Sequence, residues 1–280
     1  MAELKCSQSS SGRAILQKTR RTEPRDGMEK DSEKRAIVTG GTGQIGESIA
    51  RSFACIGMRV VMAGRQENLG HKMARSIGHQ GGRVIFSFVD VRSPASVKAM
   101  VNRSLDWMGG VDILVNSAGV LSYGTIDELS EAQWDYAMDT NAKGTFLCSR
   151  EVIPIMTRGG GGCIINIGSL GGLHGFVGGS AYSSSKAAVG ILTKVMALEH
   201  GKNKIRVNCI APGTIMPSRP KRAIRRSSWT NEARRVPLGR LGTPEDIAST
   251  ALFLSSENSS FISGAIIVVD GGQSAGQFVY

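Results

Sequence analysis

The stretch Ala36-Ile-Val-Thr-Gly-Gly-Thr-Gly-Gln-Ile-Gly46 decides the fold predicted for this chain. Its first four residues form a short apolar run of the kind that occupies a buried parallel strand. Gly41, Gly43 and Gly46 then follow the G-x-G-x-x-G spacing, which permits a tight turn and close approach of the backbone to a pyrophosphate. The stretch predicts a strand, a phosphate-binding turn and a helix that begins at Gln44. The alternative is an ordinary glycine-rich turn between a strand and a helix.

Apolar runs and helical patterns alternate along the rest of the chain. The predicted strands cover residues 36–39, 59–63, 83–89, 112–115, 163–168, 205–210 and 265–269. The predicted helices cover residues 44–56, 67–77, 94–108, 130–157, 180–200 and 244–255. Such alternation, joined by right-handed crossovers, places helices on both faces of one parallel sheet. The sequence therefore predicts an α/β fold with a Rossmann-type, doubly wound, parallel seven-stranded sheet, built by a single domain over residues 33–280.

Residues 1–32 differ from the rest because they are rich in Ser, Arg and Lys and lack helical or strand periodicity. This composition predicts a disordered extension, and the alternatives are an organellar targeting peptide within 1–27 or a start at Met28. The five cysteines are odd in number and include no C-x-x-C pair, which favours a reducing compartment and argues against a zinc site. No apolar run approaches the ~18 residues needed to span a bilayer. We predict a cytoplasmic protein with no metal site and no membrane-spanning segment.

Tyr182 and Lys186 lie four residues apart in Tyr182-Ser-Ser-Ser-Lys186, which on a helix places both side chains on one face. A phenol normally titrates near ~10. A cation beside the phenol lowers its pKa by favouring the phenolate. Such a pair can donate or accept a proton near neutral pH. By itself the pattern is weak, because Tyr and Lys occur at this spacing by chance on many helix surfaces.

Polar residues and glycines follow five successive predicted strands or begin the helix after them. They are Asp90-Val91, Asn116-Ser-Ala-Gly119, Asn141 at the start of a helical pattern, Ser169 and Pro212-Gly213. Each of them could be a cap or turn residue. The carboxyl ends of parallel strands meet at one edge of a sheet, where ligands bind. The joint placement of these groups therefore favours a single ligand site.

These motifs, with Val207-Asn-Cys-Ile-Ala-Pro-Gly213 and Val269-Asp-Gly-Gly272, resemble the short-chain dehydrogenase/reductase family over residues 33–272. The sequence is most similar to the single-domain branch, which includes 3-oxoacyl-carrier-protein reductases and many sugar, steroid and small-alcohol dehydrogenases. The resemblance implies an enzyme that acts on CH–OH groups with a nicotinamide cofactor.

The resemblance also implies a role for each of four catalytic residues. Tyr182 would be the general acid/base, and Lys186 would lower its pKa and hold the nicotinamide ribose. Ser169 would hydrogen-bond the substrate oxygen. Asn141 would anchor a water that leads to Lys186.

The same resemblance implies which residues bind the cofactor. Asp90 would touch the adenine, and Asn116 the adenosine ribose region. Pro217 stands where the family has a Thr that bonds the nicotinamide carboxamide, which leaves Ser218 or the backbone of Ile215 for that contact. The full predicted set is Thr39, Gly40, Gly41, Gly43, Gln44, Ile45, Gly46, Arg65, Asp90, Val91, Asn116, Ala118, Gly119, Tyr182, Lys186, Pro212, Gly213 and Ile215.

The residues after the second predicted strand bear on the choice of cofactor. Arg59-Val-Val-Met-Ala63 is followed by Gly64 and Arg65, with no carboxylate placed to accept from a ribose 2′-hydroxyl. An arginine there suits a 2′-phosphate, which favours NADP over NAD. The alternative is a solvated arginine.

The formal net charge of +11 raises the question of a nucleic-acid partner. The sequence has no RNP, zinc-finger or helix-turn-helix signature and only 5% aromatic residues, so we predict no such partner. Residues 219–235 hold seven basic residues against one acid, Glu232. The basic residues are Arg219, Lys221, Arg222, Arg225, Arg226, Arg234 and Arg235. Their crowding suggests an anionic substrate such as an acyl thioester, and the alternative is a solvated loop.

The last predicted strand, Ala265-Ile-Ile-Val-Val269, is apolar and needs covering if it lies at a sheet edge. In the family such a strand packs against a partner, so we predict a homodimer or homotetramer.

Taken together, the sequence predicts an NADP(H)-dependent oxidoreductase that transfers a hydride between nicotinamide and a carbonyl or secondary alcohol, with a 3-oxoacyl thioester among the candidate substrates. One alternative is an NAD(P)-dependent dehydrogenase of a sugar, sterol or small alcohol. A second alternative is a nucleotide-binding scaffold without catalysis.

Overall fold

The computed structural model describes residues 34–216 and 226–276. The strands are β1 (Arg35–Thr39), β2 (Arg59–Gly64), β3 (Arg83–Phe88), β4 (Ile113–Asn116), β5 (Gly162–Ile167), β6 (Ile205–Pro212) and β7 (Ile266–Val269). The α-helices are α1 (Gln44–Cys55), α2 (Glu67–Gly78), α3 (Pro94–Met108), α4 (Glu131–Met138), α5 (Gly144–Arg158), α6 (Ser180–His200), α7 (Arg226–Ala233) and α8 (Pro244–Ser255). Within the described ranges no helix is long and apolar enough to cross a membrane. The predicted extension over 1–32 lies outside these ranges, as do Pro217 and Ser218.

The strands form one parallel sheet in the order β3-β2-β1-β4-β5-β6-β7. The chain extends the sheet first on one side of β1 and then, from β4 onward, on the other side. At such a switch point the loops after the two strands diverge and leave a crevice at the carboxyl edge of the sheet. The predicted doubly wound, seven-stranded fold is confirmed, and the candidate site lies at this crevice.

Both faces of the sheet are buried by helices. One apolar cluster joins the sheet to α1, α2 and α8, and the other joins it to α3, α5 and α6. Along β1, Ala36 and Val38 face the first cluster and Ile37 faces the second. A strand that is covered on both faces is apolar at successive positions, which is why β1 is a continuous apolar run.

The helix predicted over 130–157 is present as one unbroken helical stretch over residues 131–158, which contains a π-helical turn. Helix α4 begins at a capping box, in which the Ser130 hydroxyl accepts from the Gln133 N–H at 3.3 Å. A π-helical turn over Asp139–Lys143 then separates α4 from α5, and the Gly144 N–H donates to the Asp139 carbonyl. Asn141 was predicted at the start of a helical pattern. It lies instead inside this π-helical turn. The short helix α7 was not predicted either.

Candidate active site

The turn after β1 brings backbone atoms to the crevice. Gly40 has a φ of +66°, and a Cβ at this position would lie 2.7 Å from the backbone of Ser117 and Ala118. A Cβ on Gly46 would collide with the Gly40 carbonyl. The turn closes through the Gly43 N–H, which donates to the Gly40 carbonyl at 2.8 Å. Glycine is therefore required at both ends of the turn, and the amino-terminal amides of α1 lie beside the crevice.

A cleft of about 220 Å³ opens next to this turn. The predicted cofactor residues that line it are Gly40, Gly43, Arg65, Asp90, Val91, Ala118 and Gly119. The structure adds Thr42, Gly64, Gln66, Val89, Ser117, Val120 and Thr140 to the lining. The other predicted cofactor residues are not part of this lining: Thr39, Gly41, Gln44, Ile45, Gly46, Asn116, Tyr182, Lys186, Pro212, Gly213 and Ile215.

Three of the predicted cofactor residues use their side chains inside the protein. The Thr39 hydroxyl accepts from the N–H groups of Ser117 and Ala118, both at 3.2 Å, and so joins the end of β1 to the loop after β4. The side chains of Ile45 and Ile215 pack against the hydrophobic core. Contact between a cofactor and these three residues is therefore left mainly to their backbone atoms.

The side chain of Asn116 also points into the protein, where it is only 3% exposed. Its Nδ2 donates to the Ser149 hydroxyl at 3.1 Å and to Asn166 Oδ1 at 2.9 Å. Asn166 in turn donates to the Thr193 hydroxyl at 2.9 Å. This network joins β4 and β5 to α5 and α6. The Asn116 side chain is therefore turned away from the cleft, and the predicted contact with the adenosine ribose is left to its backbone atoms.

The end of the cleft beyond β2 carries an excess of positive charge. The guanidinium carbons of Arg65 and Arg92 lie 6.0 and 5.1 Å from the ring centroid of Tyr136. Arg92 also pairs with the Asp90 carboxylate at 2.6 Å. The hydrogen bond from Arg92 is the main reason why the pKa of Asp90 is lowered, and the charge of Arg65 contributes to the same direction. Two cations and one carboxylate therefore occupy this end of the cleft.

Asn141 holds the loop after β4 against α6. Its Oδ1 accepts from the Val120 N–H at 2.8 Å, and its Nδ2 donates to the Val120 carbonyl at 3.0 Å and to the Ser185 hydroxyl at 2.9 Å. Ser185 donates to the Tyr182 carbonyl at 2.7 Å. These bonds use both N–H groups of the amide. The predicted water-anchoring role is therefore left to the backbone carbonyl of Asn141. This oxygen also accepts from the Thr145 hydroxyl at 2.7 Å.

Ser169, Tyr182 and Lys186 converge beyond the end of β5. The side chain of Ser169 lies close enough to the Tyr182 phenol to counter part of the effect of burial on its pKa, and the Ser169 hydroxyl accepts from the Gly171 N–H at 3.0 Å. Lys186 is buried, and its Nζ donates to the Ile167 carbonyl at 2.7 Å. The same Nζ lies 6.0 Å from the centroid of the Tyr182 ring. The hydroxyls of Ser169 and Tyr182 and the buried ammonium of Lys186 thus lie at the same carboxyl edge of the sheet as the glycine-rich turn.

Burial moves the two titrating groups in opposite directions. Burial raises the pKa of Tyr182, and the Ser169 side chain offsets only part of that effect. Burial lowers the pKa of Lys186 to about 8. The pKa of Tyr182 is therefore raised by burial and not lowered as predicted, while the Lys186 Nζ hydrogen-bonds the Ile167 carbonyl.

Comparison with known proteins assigns this arrangement to a family. A family model described as enoyl-(acyl carrier protein) reductase matches residues 41–274. The 3-oxoacyl-(acyl-carrier-protein) reductase FabG of Chlamydia muridarum is 40% identical over 241 residues, which cover 85% of this chain and 96% of that protein. The chain belongs to the short-chain dehydrogenase/reductase family.

Two further proteins are similar to this short-chain dehydrogenase/reductase. Subunit BbsD of a hydroxy(phenyl)methylsuccinyl-CoA dehydrogenase from Thauera aromatica is 37% identical over 246 residues, which cover 85% of this chain and 96% of that protein. The structure of a 7α-hydroxysteroid dehydrogenase complexed with NADH and 7-oxo glycochenodeoxycholic acid has a TM-score of 0.82 and 35% identity, and the match covers 87% of this chain and 96% of that chain. The chain is therefore an NAD(P)-dependent oxidoreductase that acts on CH–OH groups.

Sequence reasoning missed several residues that shape the site of this short-chain dehydrogenase/reductase. Ser185 lies inside the Tyr182-Ser-Ser-Ser-Lys186 motif, yet serine is too common on helices to stand out. Arg92 and Tyr136 meet beside the cleft although 44 residues separate them. No local pattern connects such distant positions, so only the tertiary structure reveals them.

Proposed function

We propose that this short-chain dehydrogenase/reductase interconverts a ketone and a secondary alcohol with NADP(H), and that Tyr182 is the general acid/base. The observation that carries the proposal is the convergence of Ser169, Tyr182 and Lys186 beside the glycine-lined crevice. The set would be unnecessary in a scaffold that only binds a nucleotide.

The proposed roles follow from the geometry. A substrate carbonyl oxygen that reaches both hydroxyls would be held by Ser169 and Tyr182. The nicotinamide cofactor, when bound, supplies the hydride to the carbonyl carbon in reduction and accepts it in oxidation. In reduction the Tyr182 phenol donates its proton to the oxygen that becomes the alcohol, and a proton from solvent restores the phenol. The Lys186 ammonium is near enough to stabilise the phenolate left behind.

The protonation states support this assignment. Because burial raises the pKa of Tyr182, the phenol of the protein alone keeps its proton at neutral pH. Tyr182 is therefore ready to act as the acid in carbonyl reduction. Oxidation of an alcohol requires the phenolate, and we expect it to be favoured at higher pH.

The crevice fits a dinucleotide because its floor is backbone. A Cβ on Gly119 would lie 3.3 Å from Asn141 Oδ1 and 3.4 Å from Lys186 Nζ, so glycine keeps the path from the cleft to Lys186 open. The turn at Gly40 and Gly43 would hold the pyrophosphate through its amides. Lys186 would hold the nicotinamide ribose.

The charge at the adenosine end supports NADP over NAD. Arg65 lines the cleft at the end of β2, and the guanidinium groups of Arg65 and Arg92 both lie near the Tyr136 ring. Asp90 is the one carboxylate in the lining of the described cleft, and it is already paired with Arg92. A 2′-phosphate would offset the excess positive charge of Arg65 and Arg92, whereas a neutral 2′-hydroxyl would not.

We expect Arg65→Ala to lower kcat/KM for NADPH by about 10- to 150-fold, since a charge-assisted hydrogen bond contributes about 1.5–3 kcal/mol. The value for NADH should change little, because NADH has no 2′-phosphate. Steady-state kinetics with both cofactors measures the ratio. Arg75→Ala, which removes an exposed arginine from α2, is the matched control for loss of charge. An unchanged NADPH-to-NADH ratio in Arg65→Ala, or a wild type that prefers NADH, would contradict the assignment.

The names of the relatives support a 3-oxoacyl thioester as the substrate. FabG is named for a 3-oxoacyl-(acyl-carrier-protein) substrate, and BbsD for an acyl-CoA substrate. The steroid substrate of the solved relative supports the second candidate, a dehydrogenase of a sterol, sugar or small alcohol. Four of the seven basic residues in the segment 219–235 lie outside the described residues: Arg219, Lys221, Arg222 and Arg225. Arg235 is exposed and pairs with Glu232 at 3.7 Å, so the anionic-substrate hypothesis stays a prediction.

We expect the protein to sediment as a dimer or tetramer, well above the 29.7 kDa of one chain. Strand β7 ends the sheet, and its Val268 is 40% exposed. On α6, the side chains of Ile191, Val195 and Leu198 form an exposed apolar stripe at helical spacing. Both features need covering. Sedimentation as a single chain at micromolar concentration would refute the proposed assembly.

A cytoplasmic location remains part of the proposal. Cys55, Cys148, Cys163 and Cys209 are unpaired, which agrees with a reducing compartment. Fractionation of cells that express the tagged full-length chain tests it against the organellar alternative for residues 1–27.

A further inference from the structure

Two loops at the carboxyl edge of the sheet carry exposed apolar side chains beside the catalytic residues. One covers residues 120–126 after β4, and the other covers residues 170–179 after β5. Their exposed large apolar side chains, which we call the apolar wall, are Leu121, Tyr123, Ile126, Leu173, Phe176 and Val177. Apolar patches of this kind on a soluble protein mark ligand or partner sites.

The two loops are joined into one surface. The Gly124 N–H donates to the Gly178 carbonyl at 3.0 Å, and Gly124 pairs with Gly179 in an isolated parallel bridge. The rings of Tyr123 and Phe176 meet edge to face, with centroids 6.1 Å apart. The apolar wall is therefore continuous from one loop to the other.

Phe176 connects the wall to the catalytic hydroxyls. Its ring centroid lies 6.2 Å from that of Tyr182. A Cβ on Gly171 would lie 2.9 Å from the Phe176 ring, 3.3 Å from the Tyr182 ring and 3.4 Å from the Ser169 hydroxyl. A Cβ on Gly179 would come within 2.7 Å of the Phe176 ring. The Phe176 ring thus packs against Gly171 and Gly179. It flanks the place where a carbonyl bound to Ser169 and Tyr182 would lie.

The two segments 120–126 and 170–179 are nearly free of charge, and the nearest charged side chains along the chain are Asp127 and Glu128. Within residues 120–126 and 170–179 there is no Asp, Glu, Lys or Arg, and the ionisable side chains are Tyr123 and His174. A substrate hydroxyl pressed against the wall would lose hydrogen bonds to water without replacement. An alkyl or ring substituent would instead gain by leaving water.

We propose that the substrate carries an apolar alkyl or ring substituent next to its reacting carbon, and that Phe176 selects this substituent. The inference rests on the proposed function, because the wall is placed relative to the proposed catalytic hydroxyls. It favours the acyl and sterol candidates and excludes polyhydroxylated sugars.

A homologous series of ketones tests the proposal with the full-length protein and NADPH. From 2-butanone to 2-heptanone we expect kcat/KM to rise about 4-fold per methylene, or about 60-fold in all, the effect of burying one CH₂ at a time. Erythrulose, the trihydroxylated counterpart of 2-butanone, should react about 10-fold more slowly or worse, because its hydroxyls would be left without partners.

Three variants assign the effect to the wall. Phe176→Ala should flatten the rise to less than about 2-fold per methylene, and Phe176→Leu should restore most of it, because a leucine still offers apolar surface. Phe261→Ala is the matched control, since Phe261 is fully exposed and lies among the residues at the amino edge of the sheet. A change in chain-length dependence is a result that simple loss of stability does not produce.

The outcomes separate the two proposals. A flat series in the wild type, equal rates with erythrulose, or the same slope in Phe176→Ala and Phe261→Ala would overturn the apolar selection while leaving ketone reduction intact. If no ketone is reduced, the proposed function fails. Calorimetric binding of the matching n-alkyl amides to the protein then still tests the wall, because affinity should rise about 4-fold per methylene in the wild type and not in Phe176→Ala.

Discussion

Tyr182→Phe is expected to lower kcat by about 10²- to 10⁴-fold, the usual contribution of general acid–base catalysis. The substitution removes one hydroxyl and keeps the ring, which is partly buried and packs against Phe176. Among the described residues, Tyr182 is the titratable group whose pKa is shifted by Ser169. We therefore expect folding and cofactor affinity to be kept while proton transfer is lost.

The measurement is steady-state kinetics with NADPH and a ketone, accompanied by circular dichroism and by titration of NADPH binding. Unchanged spectra and NADPH affinity would show that the variant is folded and loaded. More than a tenth of the wild-type kcat in such a variant would remove Tyr182 from its proposed role.

Lys186→Met is expected to lower kcat by about 100-fold or more and, at the same time, to stabilise the protein at pH 7. The activity is lost because no cation remains to stabilise the Tyr182 phenolate. The stability gain arises because burial lowers the pKa of Lys186 from 10.5 to about 8, so the buried charge costs about 3 kcal/mol. Losing the hydrogen bond to the Ile167 carbonyl costs about 1 kcal/mol, which leaves a net gain of about 2 kcal/mol.

The difference in stability between Lys186→Met and the wild type depends on pH. Below pH 8 the native and unfolded chains both hold the Lys186 proton, so the wild type carries the full penalty. Between pH 8 and 10.5 the native state has released the proton while the unfolded state keeps it, and the stability of the wild type rises relative to the variant. Urea unfolding at pH 7 and pH 10 measures the difference. A variant that is less stable than the wild type at pH 7, or a difference independent of pH, would contradict burial as the cause.

Local patterns were enough to predict the fold and to place Tyr182 and Lys186, the proposed catalytic pair, on one helix. The apolar run of β1 and the glycines after it lie within eleven residues, and the conformations they require are set by backbone sterics. Tyr182 and Lys186 share one helix, so their spacing alone places both side chains on the same face. The alternation of strands and helices then determined the parallel sheet and the edge at which these groups meet.

The tertiary structure decided what each side chain does at that edge. Asn116 turns inward to Ser149 and Asn166, 33 and 50 residues away, and Lys186 bonds the Ile167 carbonyl, 19 residues away. The bonds of Asn141 to Val120 and Ser185 likewise join separate segments. So does the contact between the rings of Tyr123 and Phe176. Burial and hydrogen-bond partners set the pKa and orientation of a group. Those partners come from distant parts of the chain, so a sequence pattern can name candidate catalytic residues but not their charge or the direction of their side chains.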